Sequence, residues 1–215
     1  DIFTPDSLSE EHRMIRDMVA SFMEDKVMPN VERIEHQEAG LMKQILKEGA
    51  ELGLLGAEIP EQYGGLNLTM EEEVLVAFEI ARTSPAFRSL IGTNNGIGSQ
   101  SIIMDGTEDQ KRVWLPRLAG GETIGSFALT EPEAGSDASN QITVAKVDGD
   151  YFIVNGEKTF IMHGDVADVI VLFCKIDDGS GRSDRISTVI VDDTDQPGLT
   201  RKTLEHKMGM KAATT

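Results

Sequence analysis

Apolar residues at helical spacing fill the first half of the chain. Ser7 and Glu10 have the spacing of a capping box, a pair of side chains that bond backbone amides at a helix start. Val19 and Phe22 continue an apolar stripe behind this pair, and Pro29 then lacks an amide donor. The pattern predicts a first helix that ends or bends at Pro29.

Further helices are marked by two more capping-box pairs and by glycine breaks. The predicted segments are residues 41–52, a helix that starts at Thr69 and Glu72 with Val74, Leu75, Phe78 and Ala81 on its apolar face, residues 85–104, and a helix that runs from Thr107 and Gln110 to Gly120. Helix signals end before residue 123, so this part is predicted to be all-helical.

In the second half of the chain, short apolar runs alternate with residue pairs that favour tight turns, a pattern typical of β-strands. Asp148-Gly149 and Asn155-Gly156 are the residue pairs that two-residue hairpin turns prefer. They predict a three-stranded meander over residues 141–147, 151–154 and 159–162, with further strands over 166–175 and 186–191.

Helices first and strands second predict segregated layers rather than alternating strand–helix units. The predicted class is α+β, with an all-helical domain over residues 1–123 and an antiparallel β-barrel or sandwich over residues 124–215. A dinucleotide-binding Rossmann fold is disfavoured, because no Gly-x-Gly-x-x-Gly follows a predicted strand and opens a helix.

Charge and composition narrow the classes of partner. The formal net charge of -17 repels phosphate backbones and anionic lipids, which disfavours nucleic acid and membrane surfaces as partners. No apolar run is long enough to span a bilayer, and the first residues lack the pattern of a secretory signal. The sequence has one cysteine, Cys174, which lies in an apolar run and is interpreted as a core residue. Because a single cysteine cannot form a disulfide within the chain, a reducing compartment is favoured. No metal site is predicted.

The strongest candidate for a site is the segment from Phe127 to Asp137. A strand that runs into Thr130-Glu131-Pro132 and then Gly135-Ser136-Asp137 places hydroxyls and backbone amides at a strand end. Such groups suit a cofactor that bears a phosphate or a ring. The alternative, that Ser136 or Asp137 caps a short helical turn, is equally consistent with the pattern.

An ordered set of motifs resembles one enzyme family. The motifs are Leu52-Gly53-Leu54-Leu55-Gly56, Pro60-Glu61-Gln62-Tyr63-Gly64-Gly65, Gly106-Thr107-Glu108-Asp109-Gln110-Lys111 with Leu115-Pro116, Thr130 to Asp137, Asn155-Gly156-Glu157-Lys158-Thr159-Phe160-Ile161, and Lys207-Met208-Gly209-Met210-Lys211. Together they resemble the N-terminal helical domain and the middle β-domain of the acyl-CoA dehydrogenases, in the family's order.

The resemblance implies an FAD-dependent oxidation of a fatty acyl-CoA thioester between its α and β carbons. A carboxylate base removes the α proton, the flavin accepts the β hydrogen as hydride, and an electron-transfer flavoprotein reoxidises the flavin. In the family the base comes from a second helical bundle that follows the β-domain. The base is therefore expected beyond Thr215, the β-domain is expected to be incomplete, and residues 1–215 alone are expected to be inactive.

The resemblance also implies the residues that face the cofactor and the substrate. Those expected to bind FAD are Phe127, Leu129, Thr130, Ser136, Phe160, Ile161 and Met162, and those expected to contact the acyl-CoA are Ser136, Gly98 and Ser99. Met162 stands where the family usually has a hydroxyl residue near flavin N5, so a backbone amide takes that role or it is lost. His163 stands where the family has Asn, and a turn histidine without a function is favoured there.

Small residues near Gly98 and Ser99 leave space for a medium to long acyl chain, although close helix packing explains them equally well. The resemblance further implies a homodimer or homotetramer, in the bacterial cytoplasm or the mitochondrial matrix. Two alternatives stay open: a short paralogue that serves as a binding or assembly module, and an acyl-CoA oxidase or flavin monooxygenase of the same superfamily.

Overall fold

The computed structural model describes residue 4 and residues 7–180 and 185–215. Within these residues a helical part precedes a sheet. The helices are α1 (Glu10–Phe22), α2 (Val31–Glu35), α3 (Leu41–Glu51), α4 (Met70–Thr83), α5 (Pro85–Gly92), α6 (Ser99–Asp105) and α7 (Glu108–Ala119). The strands are β1 (Gly125–Ala128), β2 (Val144–Asp148), β3 (Tyr151–Asn155), β4 (Val169–Asp177) and β5 (Ile186–Val191). The predicted order of helices and then strands is confirmed.

Helix starts follow the capping chemistry, with one shift in position. The capping boxes at Thr69 and Thr107 form as predicted, and each threonine hydroxyl accepts an amide from the third helical residue. At α1 the predicted Ser7–Glu10 pair is wrong, because Ser9 is the N-cap and His12 completes the box. The hydroxyl of Ser7 instead bonds the carbonyl of Thr4.

The helical core lies between α1, α3, α4 and α5. Its buried residues include Val19, Phe22, Ile45, Leu46, Val76, Ile80, Phe87 and Leu90. The predicted apolar face of α4 is wrong, because Val74 and Phe78 are exposed while Val76 and Ile80 are buried. Both stripes have helical spacing, and the packing of α4 against α1 buries the second one.

The predicted single helix over residues 85–104 is divided. A π-helical turn at Thr93–Gly98 separates α5 from α6. The Asn94 side chain of this turn accepts the Gly125 amide at 2.9 Å and donates to the Leu118 carbonyl at 3.1 Å. The turn therefore fixes the start of β1 against the helical part.

The sheet is mixed, and its described strands do not close into a barrel. β4 pairs in parallel with β1 and with β2 along one edge, and antiparallel with β5 along the other. The expectation of an antiparallel barrel or sandwich is corrected in this respect, because the long connection between β1 and β2 returns the chain in the same direction. Cys174 is fully buried in β4, as predicted, and burial raises the pKa of its thiol.

The predicted meander is half formed. β2 and β3 pair antiparallel, but the two-residue turn is Gly149-Asp150, one residue beyond the predicted Asp148-Gly149, because Asp148 pairs with Tyr151. Gly149 has a φ of 61°, as the first position of such a turn requires. The third strand, over residues 159–162, is wrong: the amide of Thr159 donates to the Thr130 carbonyl at 2.9 Å instead of pairing with β3. The chain after β3 therefore turns towards the end of β1.

None of the described helices is long and apolar enough to cross a lipid bilayer.

Replacing Gly65 with alanine is expected to destabilise the fold by about 3 kcal/mol, the upper part of the usual range for overpacking. A β-carbon there would lie 1.9 Å from the carbonyl oxygen of Ile59, which is backbone and cannot move to another rotamer. Gly209→Ala is the matched control, because its β-carbon meets open space. Urea denaturation of both variants tests this, and equal midpoints would contradict it.

Candidate functional site

The first site segment leaves β1 and turns sharply. Phe127 packs its ring against Phe173, with the ring centroids 4.7 Å apart. The turn after Thr130 is closed by two backbone bonds between Glu131 and Ala134, of 3.1 and 3.2 Å. Ser136 follows on an exposed loop. The end of β1 thus carries a rigid turn followed by accessible hydroxyl and amide groups.

The second site segment is the loop that replaces the predicted third strand. Phe160 has a φ of 56° and a side chain that is 68% exposed, an unusual combination for a bulky apolar residue. Ile161 and Met162 are half-buried behind it. The hydroxyl of Ser126, on β1, donates to the Met162 carbonyl at 2.8 Å. The loop therefore presents an aromatic side chain to solvent from a fixed backbone.

The two segments meet. Besides the bond between Thr159 and Thr130, the Lys158 ammonium donates to the Leu129 carbonyl at 2.9 Å and to the Glu131 carboxylate at 2.8 Å. Thr130 and Phe160, which lie 30 positions apart in the sequence, are consequently neighbours at one edge of the sheet. We call this meeting point of residues 127–131 and 158–162 the loop junction.

Sequence reasoning did not identify the ion pair at the centre of the loop junction. Burial by itself would raise the pKa of Glu131. The hydrogen bonds from the Ile142 amide and the Lys158 ammonium outweigh this effect and lower the pKa to about 2. Glu131 is thus a buried, paired anion and no proton acceptor at neutral pH. The only signal in the sequence was the presence of opposite charges in the two motifs, and the further acidic residues Glu133, Asp137 and Glu157 leave the pairing undecided.

His163 lies at the end of the second segment and is 1% exposed. Its amide donates to the Thr214 carbonyl at 2.8 Å, and among the described residues its Nε2 has no hydrogen-bond partner. Burial is the main reason why the pKa of its imidazole is lowered to about 4. The negative charge of Asp165 raises this pKa, and the positive charge of Lys207 lowers it, but both effects are smaller than that of burial. The histidine is therefore neutral, and its backbone connects the loop to the last residues of the chain.

Gly98 and Ser99 lie between the helices and the sheet. A β-carbon at residue 98 would lie 2.7 Å from the Thr93 carbonyl and 3.2 Å from Gly125, so close packing requires this glycine. The Ser99 hydroxyl is fully buried and donates to the Asn95 carbonyl. Contact of these two residues with a substrate stays a prediction.

A cavity of about 160 Å³ lies nearby between α4 and α5. Its polar lining comes from Glu58, Glu73, Arg88 and Asn95. The rest of the lining is apolar residues of α4 together with Ala57, Ile91 and Gly92. Burial, with the charge of Glu58 adding to it, raises the pKa of Glu73 to about 7. The cavity therefore combines an apolar side with ionisable groups.

The described residues contain no group of three or more histidine, cysteine or acidic side chains arranged to hold a metal ion. The loop junction and the open loop that follows it offer binding groups: the exposed ring of Phe160 and the hydroxyl of Thr130 at the junction, and the hydroxyl of Ser136 and backbone amides on the loop. A flat ring with a polar edge matches these groups.

Comparison with known families gives two matches that together cover most of the chain. Residues 9–122 match the acyl-CoA dehydrogenase N-terminal domain, and residues 126–215 match the acyl-CoA dehydrogenase middle domain.

Curated relatives and solved structures agree with this. A probable acyl-CoA dehydrogenase of Bacillus subtilis is 38% identical over 100% of this chain and 35% of its own length. A mitochondrial isovaleryl-CoA dehydrogenase of Pongo abelii is 34% identical over 97% of this chain and 49% of its own length. The structure of an acyl-CoA dehydrogenase complexed with FAD from Bacillus anthracis matches with a TM-score of 0.90 and 38% identity, over 99% of this chain and 36% of that one.

The chain thus spans between about a third and a half of the length of these relatives. The N-terminal domain match covers the helices, and the middle domain match covers the sheet and the loop junction. The chain belongs to the acyl-CoA dehydrogenase family.

Proposed function

We propose that this chain is the flavin-facing part of an FAD-dependent dehydrogenase that oxidises acyl-CoA thioesters between their α and β carbons. The observation that carries the proposal is the loop junction, where the bond from the Thr159 amide to the Thr130 carbonyl holds the Phe160 loop against the end of β1. The FAD complex of the Bacillus anthracis relative supports the choice of cofactor.

The residues present fit FAD by the chemistry of their groups. Neither the Thr130 nor the Ser136 hydroxyl bonds another described residue, which leaves both free for the polar groups of a ligand. Leu129, Phe160, Ile161 and Met162 are proposed to supply the apolar surroundings of a ring. Phe127, whose ring packs on Phe173 in a different apolar cluster from that of Ile161, is proposed to border the ring through its position near the end of β1. Bound FAD would supply the hydride acceptor of the reaction.

The protein's own contribution is to bind, orient and exclude water. Because Met162 lacks a hydroxyl, the backbone of the second segment supplies any hydrogen bond at that point of the flavin, and losing one neutral bond costs on the order of 1 kcal/mol. Gly98, Ser99 and Ser136 are proposed to border the acyl-CoA.

The remaining parts of the reaction are proposed to lie outside these residues. Glu131 does not serve as the base, since its carboxylate is ion-paired and buried. A carboxylate from beyond Thr215 is the proposed base, and an electron-transfer flavoprotein is the proposed electron acceptor of a homo-oligomeric enzyme.

Anaerobic mixing with acyl-CoA thioesters tests the proposal directly. The protein expressed from its own gene is mixed with a panel from butyryl-CoA to palmitoyl-CoA, and bleaching of the flavin absorbance is followed. We expect bleaching with at least one thioester, and faster bleaching with the longer chains. A protein that binds FAD but is bleached by none of them contradicts the proposal and favours a non-catalytic binding module.

Reoxidation separates the dehydrogenase from the oxidase or monooxygenase alternative. After bleaching, the reduced protein is exposed either to oxygen or to an electron-transfer flavoprotein. We expect fast reoxidation only with the flavoprotein, whereas fast reoxidation by oxygen would favour the alternative.

A further inference from the structure

Lys158 is a lysine with all its donors used inside the protein. Its side chain is 8% exposed, and its ammonium donates to the Leu129 carbonyl at 2.9 Å, the Glu131 carboxylate at 2.8 Å and the Gln141 side-chain oxygen at 2.8 Å. An ammonium has three donors, so its bonding capacity is filled. A buried charge is tolerated only when it is satisfied in this way.

The acceptors of Lys158 lie on two different segments. Leu129 and Glu131 end the first site segment, and Gln141 lies in the connection that leads to β2. Glu131 extends the network, since its carboxylate accepts the Ile142 amide at 2.6 Å and the Thr143 amide at 3.0 Å. The ion pair therefore ties the second site segment, the first site segment and the start of β2 at one buried point.

The loop that Lys158 anchors has a strained backbone. Phe160 and His163 have φ values of 56° and 57°, in the left-handed region that side chains with a β-carbon avoid. Such residues keep this conformation only where the surrounding structure determines it. Lys158 fixes the loop on its N-terminal side, while the bonds of Ser126 to Met162 and of Thr214 to His163 fix its C-terminal side.

We propose that Lys158 is a positioning residue for the cofactor, holding the Phe160 loop against the end of β1 through its buried pair with Glu131. The inference rests on the proposed function and deepens it. Lys158 acts through the backbone of residues 159–162 and through Leu129, because its own donors are already occupied. Without this anchor the strained loop relaxes, and binding of the flavin must order it again.

The test compares Lys158→Met with Lys146→Met, a lysine exposed on β2. Apoprotein expressed from its own gene is titrated with FAD, and quenching of the flavin fluorescence gives the dissociation constant. We expect Lys158→Met to raise this constant on the order of tenfold, or about 1.4 kcal/mol, with no change for Lys146→Met. In the apoprotein, amide hydrogen exchange over residues 157–163 should accelerate in Lys158→Met alone.

A second variant covers the possibility that the unpaired Glu131 prevents folding. Glu131→Gln with Lys158→Met removes both charges, so no uncompensated buried charge is left. We expect this double variant to fold and still to bind FAD about tenfold more weakly, which is about 1.4 kcal/mol.

The outcomes separate this inference from the proposed function. Wild-type protein that binds no FAD overturns both. Wild-type protein that binds FAD, with folded variants whose FAD affinity and loop exchange match it, overturns the positioning role alone. Failure of both variants to fold also overturns that role, because the pair then supports the whole fold rather than the loop.

Discussion

Replacement of Phe87 with alanine is expected to lower the free energy of unfolding by about 3–5 kcal/mol, the usual cost of removing a buried aromatic ring. The Phe87 side chain is fully buried in the helical core, and its ring centroid lies 6.3 Å from that of Phe22. Truncation removes apolar contacts and leaves a cavity among α1, α4 and α5. Urea denaturation, with the slope of the transition held comparable, measures the loss.

Phe78→Ala is the matched control for this prediction. It removes the same atoms from the neighbouring helix α4, but its side chain is 61% exposed. We expect a change within about 0.5 kcal/mol, as is usual for surface positions. Similar losses in the two variants would mean that α4 turns its other face to the core.

The contrast between these two phenylalanines also shows what the sequence could predict about the helices. Local signals worked: Thr69 and Thr107 cap helices where their spacing with an acceptor three residues later predicts it. The buried face of α4 depends instead on which of two apolar stripes packs against α1. That choice is made by tertiary contacts, which spacing along one helix does not encode.

The sheet divides in the same way. The hairpin forms next to the predicted Asp148-Gly149 pair, with its turn one residue further on at Gly149-Asp150, because the turn and the two paired strands are adjacent in the chain. The parallel pairing of β4 with β1 and β2 joins segments that are far apart in the sequence, and no local sequence pattern predicts it. The third strand does not form because Lys158 and Thr159 bond residues 129–131 of the first site segment instead of pairing with β3.

The sequence predicted which two segments form the candidate site, but it did not predict how they contact each other. The motifs around Thr130 and Phe160 were identified from their residues, and the structure brings them together. The buried bonds of Lys158 and the left-handed backbone of Phe160 required the fold, since both depend on partners about 30 residues away.

The stability of this protein is expected to fall by about 3 kcal/mol between pH 6.5 and pH 4 because of His163. Burial lowers the pKa of His163 from its ordinary value of 6.5 to about 4, so the folded chain keeps the imidazole neutral across this window. The unfolded chain takes up the proton there. Acid therefore favours unfolding as the pH falls below 6.5, and above 6.5 the residue has no such effect.

His163→Asn should abolish this part of the pH dependence. Asparagine tolerates the left-handed backbone at residue 163 and does not titrate. His206→Asn is the matched control, because His206 also has a positive φ, of 59°, but its side chain is 93% exposed. Urea midpoints at about pH 7 and about pH 4.5 give the slope for each protein. Since Asp165 and Lys207 are unchanged in both variants, a wild-type slope in His163→Asn would show that the buried imidazole does not control acid stability.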